Sequence, residues 1–225
     1  VNLLERAVRI EEQLFGDKEP ELAVTLSNLG IIYNQLKEGA KAVQVLDRAL
    51  GLREGTMGAD SAELLPILSS LGMAKLEAGD AQSSLQILDR ALDIGERSYG
   101  KEHAELVPTL LHTAAACRRL EQHQTAAELI ERTVKIQERQ LGEDHAHLAA
   151  TLVDLGRAYC ATNDRAKEIR ALERARAIAE KAGDLSSVAL FQVLAPLRTA
   201  YSAAGREAEA AACEARSREP LSGSL

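Results

Sequence analysis

The chain has 225 residues, 46% of them hydrophobic, which is enough to bury a substantial core. Its 34 acidic and 27 basic residues leave a formal charge of −7, which argues against a general nucleic-acid binder, since that role wants a basic face. No apolar run approaches the roughly 20 residues needed to span a bilayer, and Val1 opens no charged-then-apolar signal segment, so no membrane association is expected.

There is no Trp, and only two Phe and four Tyr, so the apolar mass is mostly Leu and Ala. These are helix formers, whereas strands favour β-branched and aromatic residues. The expected class is all-α. Cys117, Cys160 and Cys213 are odd in number and about a repeat apart, so neither a disulfide framework nor a zinc knuckle is expected. A reducing compartment and a cytoplasmic location follow as expectations.

Along the chain, residues 1–15 begin with LLERAV (3–8), a block that returns as VLDRAL (45–50), ILDRAL (87–92), LIERTV (129–134) and ALERAR (171–176). A second block reads LSNLGIIY (26–33), LSSLGMAK (68–75), LLHTAAAC (110–117), LVDLGRAY (152–159) and LAPLRTAY (194–201). Its leading residues Leu26, Leu68, Leu110, Leu152 and Leu194 are 42 apart at every step. The connector FGDKEPEL (15–22), MGADSAEL (57–64), YGKEHAEL (99–106) and LGEDHAHL (141–148) keeps the same step.

Each unit reads as two helices. The first, roughly Pro20 to Lys37, spaces Leu22, Leu26, Leu29 and Tyr33 at the three-to-four interval of an amphipathic helix. The second carries Ala42, Leu46, Ala49 and Leu50 on one face. Gly39, Gly79 and Gly205 are placed in or beside the turns between the helices. Gly16, Gly58, Gly100 and Gly142 are read as C-terminal caps, and Asp17, Asp60, Glu102 and Asp144 as caps for the next helix.

The expected layout is a single solenoid over 1–218. It has a truncated repeat at 1–15, full repeats at 20–57, 60–99, 102–141 and 144–182, a degenerate terminal repeat at 185–218 and a flexible tail at 219–225. In the first segment Leu3, Leu4, Ala7 and Val8 would pack on a first helix that is not there. Further repeats upstream, a partner, or self-association through Leu3, Leu4 and Val8 would then cover them. A chain beginning with Val rather than Met reads as a fragment or a processed form.

Leu26, Leu29-Gly30, Tyr33, Ala42, Leu46 and Ala49 resemble the pattern of the tetratricopeptide repeat (TPR) family. The 42-residue unit, its extended second helix and the connector Gly142-Glu143-Asp144-His145 resemble the kinesin-light-chain subgroup. The resemblance covers nearly the whole chain. It implies an α-α superhelix of antiparallel helix pairs and a non-catalytic scaffold that binds a partner protein segment in a concave groove. It equally admits an oligomerisation or regulatory sensor arm of a larger signalling or transport-adaptor protein.

In the family's register, first helices line the groove. That places Asn28, Ser70, His112 and Asp154 in one column, and Ile31, Met73, Ala115 and Arg157 in the next. A further column holds Asn34, Leu76, Arg118 and Cys160, flanked by Arg119. The subgroup's Asn ladder, which grips peptide backbone, survives here only at Asn28. Arg118, Arg119 and Arg157 suggest a basic pocket for an acidic segment or a C-terminal carboxylate. Alternatively they pair with Asp154 and Glu121. His145 and His147 resemble a metal pair but are spaced for a strand, so no metal and no cofactor is expected. No Gly-rich phosphate loop or nucleophile elbow is present, and no enzyme is expected.

Overall fold

The computed structural model describes residues 1–16, 19–181 and 187–218. Among these it contains helices and no strand, as the Leu/Ala-rich composition requires. The helices are α1 (Asn2–Phe15), α2 (Leu22–Gln35), α3 (Gly39–Met57), α4 (Leu65–Glu77), α5 (Ala81–Tyr99), α6 (Val107–Arg119), α7 (His123–Leu141), α8 (His147–Ala161), α9 (Arg165–Lys181), α10 (Ser187–Ala203) and α11 (Glu207–Arg218). The expected tail at 219–225 lies outside the described residues. The chain divides into two compact units, Val1–Glu121 and Gln122–Leu225, at the turn between α6 and α7.

In the first unit α2–α3 and α4–α5 form hairpins, α1 packs on α2, and α2, α4 and α6 lie side by side. In the second unit α8–α9 and α10–α11 form hairpins, α7 packs on α8, and α8 neighbours α10. A Gly–Leu contact closes three of these hairpins. A Cβ on Gly30, Gly72 or Gly156 would stand 2.4, 2.4 or 2.7 Å from the Cγ of Leu46, Leu88 or Leu172. Only Gly lets the two backbones come this near, and the leucines are fully buried in return.

The turn after each first helix has one residue in the left-handed region, again at a step of 42: Lys37, Gly79, Glu121, Asn163 and Gly205, with φ between 59° and 91°. Gly39, expected in or beside this turn, lies beside it as the first residue of α3, where a Cβ would meet the backbone of Ala78 at 2.6 Å. The caps also shift by one residue. Ser61 Oγ, His103 Nδ1 and His145 Nδ1 each accept the N–H two residues on, at 3.2–3.3 Å. Asp60 and Asp144, expected in that role, pair with Arg97 at 3.1 Å and Lys181 at 2.5 Å. The long basic side chains draw these acids off the helix ends, and the next residue supplies the acceptor.

Two polar ladders tie successive repeats together. The Arg of the second-helix block reaches the Glu 36 residues earlier. Arg48 pairs with Glu12, Arg90 with Glu54 at 2.6 Å, and Arg174 with Glu138. Arg90 and Arg174 also donate to the connector carbonyls of Ala59 (2.6 Å) and Glu143 (2.9 Å). The first-helix Tyr donates to the acid 28 residues earlier: Tyr33 to Glu5 (2.5 Å), Tyr159 to Glu131 (2.5 Å) and Tyr201 to Glu173 (2.6 Å). In repeat two Lys75 stands 3.9 Å from Asp47 in the same place. The hydrogen bond to Glu5, with burial, pushes the Tyr33 phenol up to about 12; burial first and Glu173 second do the same for Tyr201, and both factors raise Tyr159.

The irregular repeats are accommodated locally. Glu168, where a small residue is expected, is buried against Arg165. Pro196 sits inside α10, which continues around it with one backbone N–H fewer. Arg198, in the place of the locking Gly, stands 4.0 Å from Glu214, which replaces the Leu. At the other end Val8 is buried and Leu4 half-buried on the α2 side, so of the three residues taken as the exposed self-association face only Leu3 is open, at 82% exposure.

Candidate partner-binding faces

In the first unit, the first helices α2, α4 and α6 present one continuous surface. On α2 the stripe Val24, Asn28, Ile31 and Gln35 is exposed, as its spacing of four, three and four residues dictates for one helical face. Asn28 is therefore free to meet a ligand. Asn34 is not: its Nδ2 donates to the Ser70 carbonyl at 2.8 Å and clamps α2 to α4. Ser70 and Met73 are half-buried, and Met73 packs against the cluster of Leu76, Leu88 and Ala116.

His112 is half-buried and hydrogen-bonds through Nδ1 to Ser69 Oγ at 2.9 Å, joining α4 to α6. Burial holds its imidazole below the ordinary range, so it is neutral at pH 7. The polar column expected to grip a ligand thus spends part of its bonding inside the protein. Arg118 is half-buried and Arg119 exposed at the end of α6, and neither has an ion-pair partner among the described residues.

In the second unit, α8, α9 and α10 enclose a groove of about 330 Å³. Ala146, Ala149, Ala150 and Val153 floor it, with Val193 opposite, and Asp154, Arg157 and Gln192 supply its polar groups. Arg157 Nη1 lies 3.3 Å from Asp154 Oδ1, with side chains 55% and 40% exposed. Arg157 and Asp154 were both legible from the register. Gln192 and the alanines were not singled out, although Ala146, Ala150, Asp154 and Arg157 follow one another at helical spacing. Carrying the column back two turns would have found Ala146 and Ala150, but not Ala149 or Gln192.

No group of three or more His, Cys, Asp or Glu among the described residues is placed to hold a metal ion. His145 and His147 meet edge-on at 4.9 Å, but His145 Nδ1 is occupied as a cap. Cys117 and Cys213 are buried, which raises both thiols above their usual range, and Cys160 is exposed. No helix of the described residues is long and apolar enough to cross a membrane.

Family models described as tetratricopeptide repeat match residues 22–63, 63–138 and 108–181. A crystal structure of a Podosopora anserina protein, described as a kinesin light chain with nearly identical TPR-like repeats, is 25% identical at a TM-score of 0.77, over 89% of this chain and 95% of that one. BtubC (BKLC) from P. vanneervenii shares the fold at 22% identity and a TM-score of 0.79, over 99% and 92%. MamA from Desulfovibrio magneticus RS-1 shares it more distantly, at 16% identity and a TM-score of 0.61, over 87% and 92%. No curated protein matches the sequence. The 42-residue step, the Gly–Leu hairpin contact and the matched repeats together make this chain a member of the tetratricopeptide repeat family, of the kinesin-light-chain-like type.

Proposed function

We propose that this protein is a non-catalytic scaffold whose first-helix faces hold a segment of a partner protein, and that a bound segment is acidic where it meets Arg118 and Arg119 on the first unit or Arg157 on the second. The repeat fold supports a protein-interaction role in general. The observation that carries the finer reading is the groove of the second unit. Its floor is small and apolar, so a chain can lie close to it, and Arg157 stands at its edge. The Asp154–Arg157 pair is half-exposed on both sides, and such pairs contribute only about 0–1 kcal/mol. A partner carboxylate can therefore displace Asp154 at little cost and gain a fork-shaped donor. In the first unit Arg118 and Arg119 offer the same chemistry without a competing acid.

The test is recovery of partners from the source cell on immobilised protein, compared with the Arg118→Ala plus Arg157→Ala variant. The reading expects an acidic partner to be lost and the loss to be mimicked by raised salt. Unchanged recovery by the double variant would remove the basic contact and leave only the scaffold role.

A further inference from the structure

The groove of the second unit carries an acid and a base side by side, and neither ties one helix to another. Asp154 and Arg157 sit three apart on α8, with Oδ1 and Nη1 3.3 Å apart. Among the described residues their one polar contact is with each other. Asn34 and His112, on other first helices, instead bond to a neighbouring helix. The Asp154–Arg157 pair can therefore open without loosening the hairpins.

The surroundings fit a peptide chain. Ala146 and Ala150 are exposed and Ala149 is half-buried, and none has a side chain beyond Cβ, so a backbone can lie close to α8. Gln192 is exposed on α10, and its amide can donate to and accept from a peptide group at once. A segment carrying only acids fits this groove badly. Its carboxylate would take Arg157 and leave Asp154 facing a like charge with nothing to neutralise it. We infer that the groove selects a partner segment of mixed charge, with a carboxylate for Arg157 and a Lys or Arg for Asp154. The inference rests on the scaffold reading above and makes Asp154 a specificity-determining residue in it. Residues three apart on a helix have Cβ atoms about 5–6 Å apart. An acid and a base two residues apart in an extended segment lie about 6.5 Å apart on one face, and three or four apart in a helical segment about 5–6 Å. Either spacing lets both ion pairs form together.

The probe is a random heptapeptide library displayed on phage and selected on the intact protein. Clones that occupy the groove are those lost on Ala150→Leu, which fills it from an exposed position and leaves the fold undisturbed. In these clones an acid and a base two to four residues apart are expected. A synthetic peptide of one such clone is then titrated. Replacing its base by Ala should weaken binding about two- to fivefold on the parent protein and not at all on Asp154→Ala. Replacing its acid should behave in the same way towards Arg157→Ala. Asp154→Arg with Arg157→Asp should prefer the peptide with its two charges exchanged. Groove clones that carry acids without bases, and that Arg157→Ala removes, overturn this inference and leave the acidic-segment reading standing. Groove clones indifferent to Arg157→Ala, or no groove clone at all, overturn both at this groove. Equal losses on the parent and on Asp154→Ala when the peptide's base is removed also overturn the inference, since the base would then meet something other than Asp154.

Discussion

The hairpins α8–α9 and α10–α11 share one backbone plan and close it with different chemistry. In the first, Gly156 admits the fully buried Leu172. In the second, those two places hold Arg198 and Glu214, 4.0 Å apart and 50% and 42% exposed. The Tyr ladder is the same in both, since Tyr159 and Tyr201 each reach an acid on the preceding second helix. A close-packed contact loses its dispersion energy when either side is cut back, whereas an exposed ion pair loses little. The terminal hairpin should therefore be the looser of the two, held more by its neighbour than by itself.

The sharpest way to break this contrast is Leu172→Ala. Removing a fully buried Leu from a site that cannot collapse typically costs about 2–5 kcal/mol. Chemical denaturation of the variant should show a loss in that range. Hydrogen exchange should quicken in α8 and α9 to the level of α10 and α11 in the parent protein. A loss below about 1 kcal/mol would mean that the Gly–Leu contact is not what distinguishes the hairpins.

An intermediate effect is expected at the feature the hairpins share. Tyr159→Phe removes the donor to Glu131 and leaves its carboxylate facing the Lys167 ammonium, 4.0 Å away. A hydrogen bond to a charged group contributes about 1.5–3 kcal/mol when well buried. Glu131 is 33% exposed, so the lower end applies. Tyr201→Phe should cost about as much, because Arg206 stands 3.6 Å from Glu173 in the same way, and thermal melts of both variants measure the two losses side by side. Near-equal losses would show that the ladder holds the second unit evenly while the hairpin contact does not.

Much of this was legible before any coordinates. The 42-residue step placed the leading Leu of each first helix, because burial repeats wherever the same neighbours repeat. What the step could not show was how side chains spend their bonds. Asn34 and His112 look like ligand contacts in any column, yet Asn34 clamps a neighbouring carbonyl and His112 meets Ser69. Both bonds cross between repeats, at sequence separations of 36 and 43, so no local pattern announces them. The caps failed for a related reason. Asp60 and Asp144 stand where a capping acid would, but bases 37 residues later claim them. Val8 was misjudged because an isolated second helix still has one side packed, here on α2.

The smallest expected effect falls on the terminal pair itself. Glu214→Ala leaves Arg198 half-exposed, where water solvates a guanidinium without penalty. Exposed pairs of this kind contribute about 0–1 kcal/mol, and Ala is a better helix former than Glu by a few tenths, so the two changes nearly cancel. Equilibrium denaturation should therefore place the variant within about 0.5 kcal/mol of the parent. Arg198→Gly with Glu214→Leu is the stronger form of the comparison, since it rebuilds the contact of the other hairpin. The Gly costs about 1 kcal/mol of helix propensity, and a newly buried Leu contributes about 1.5–3 kcal/mol, so a net gain is expected. Slower hydrogen exchange in α10 and α11 would locate that gain in the hairpin. A double variant no more stable than the parent would mean that α11 does not approach α10 closely enough to lock, and the looseness of this end would then belong to its backbone rather than to two side chains.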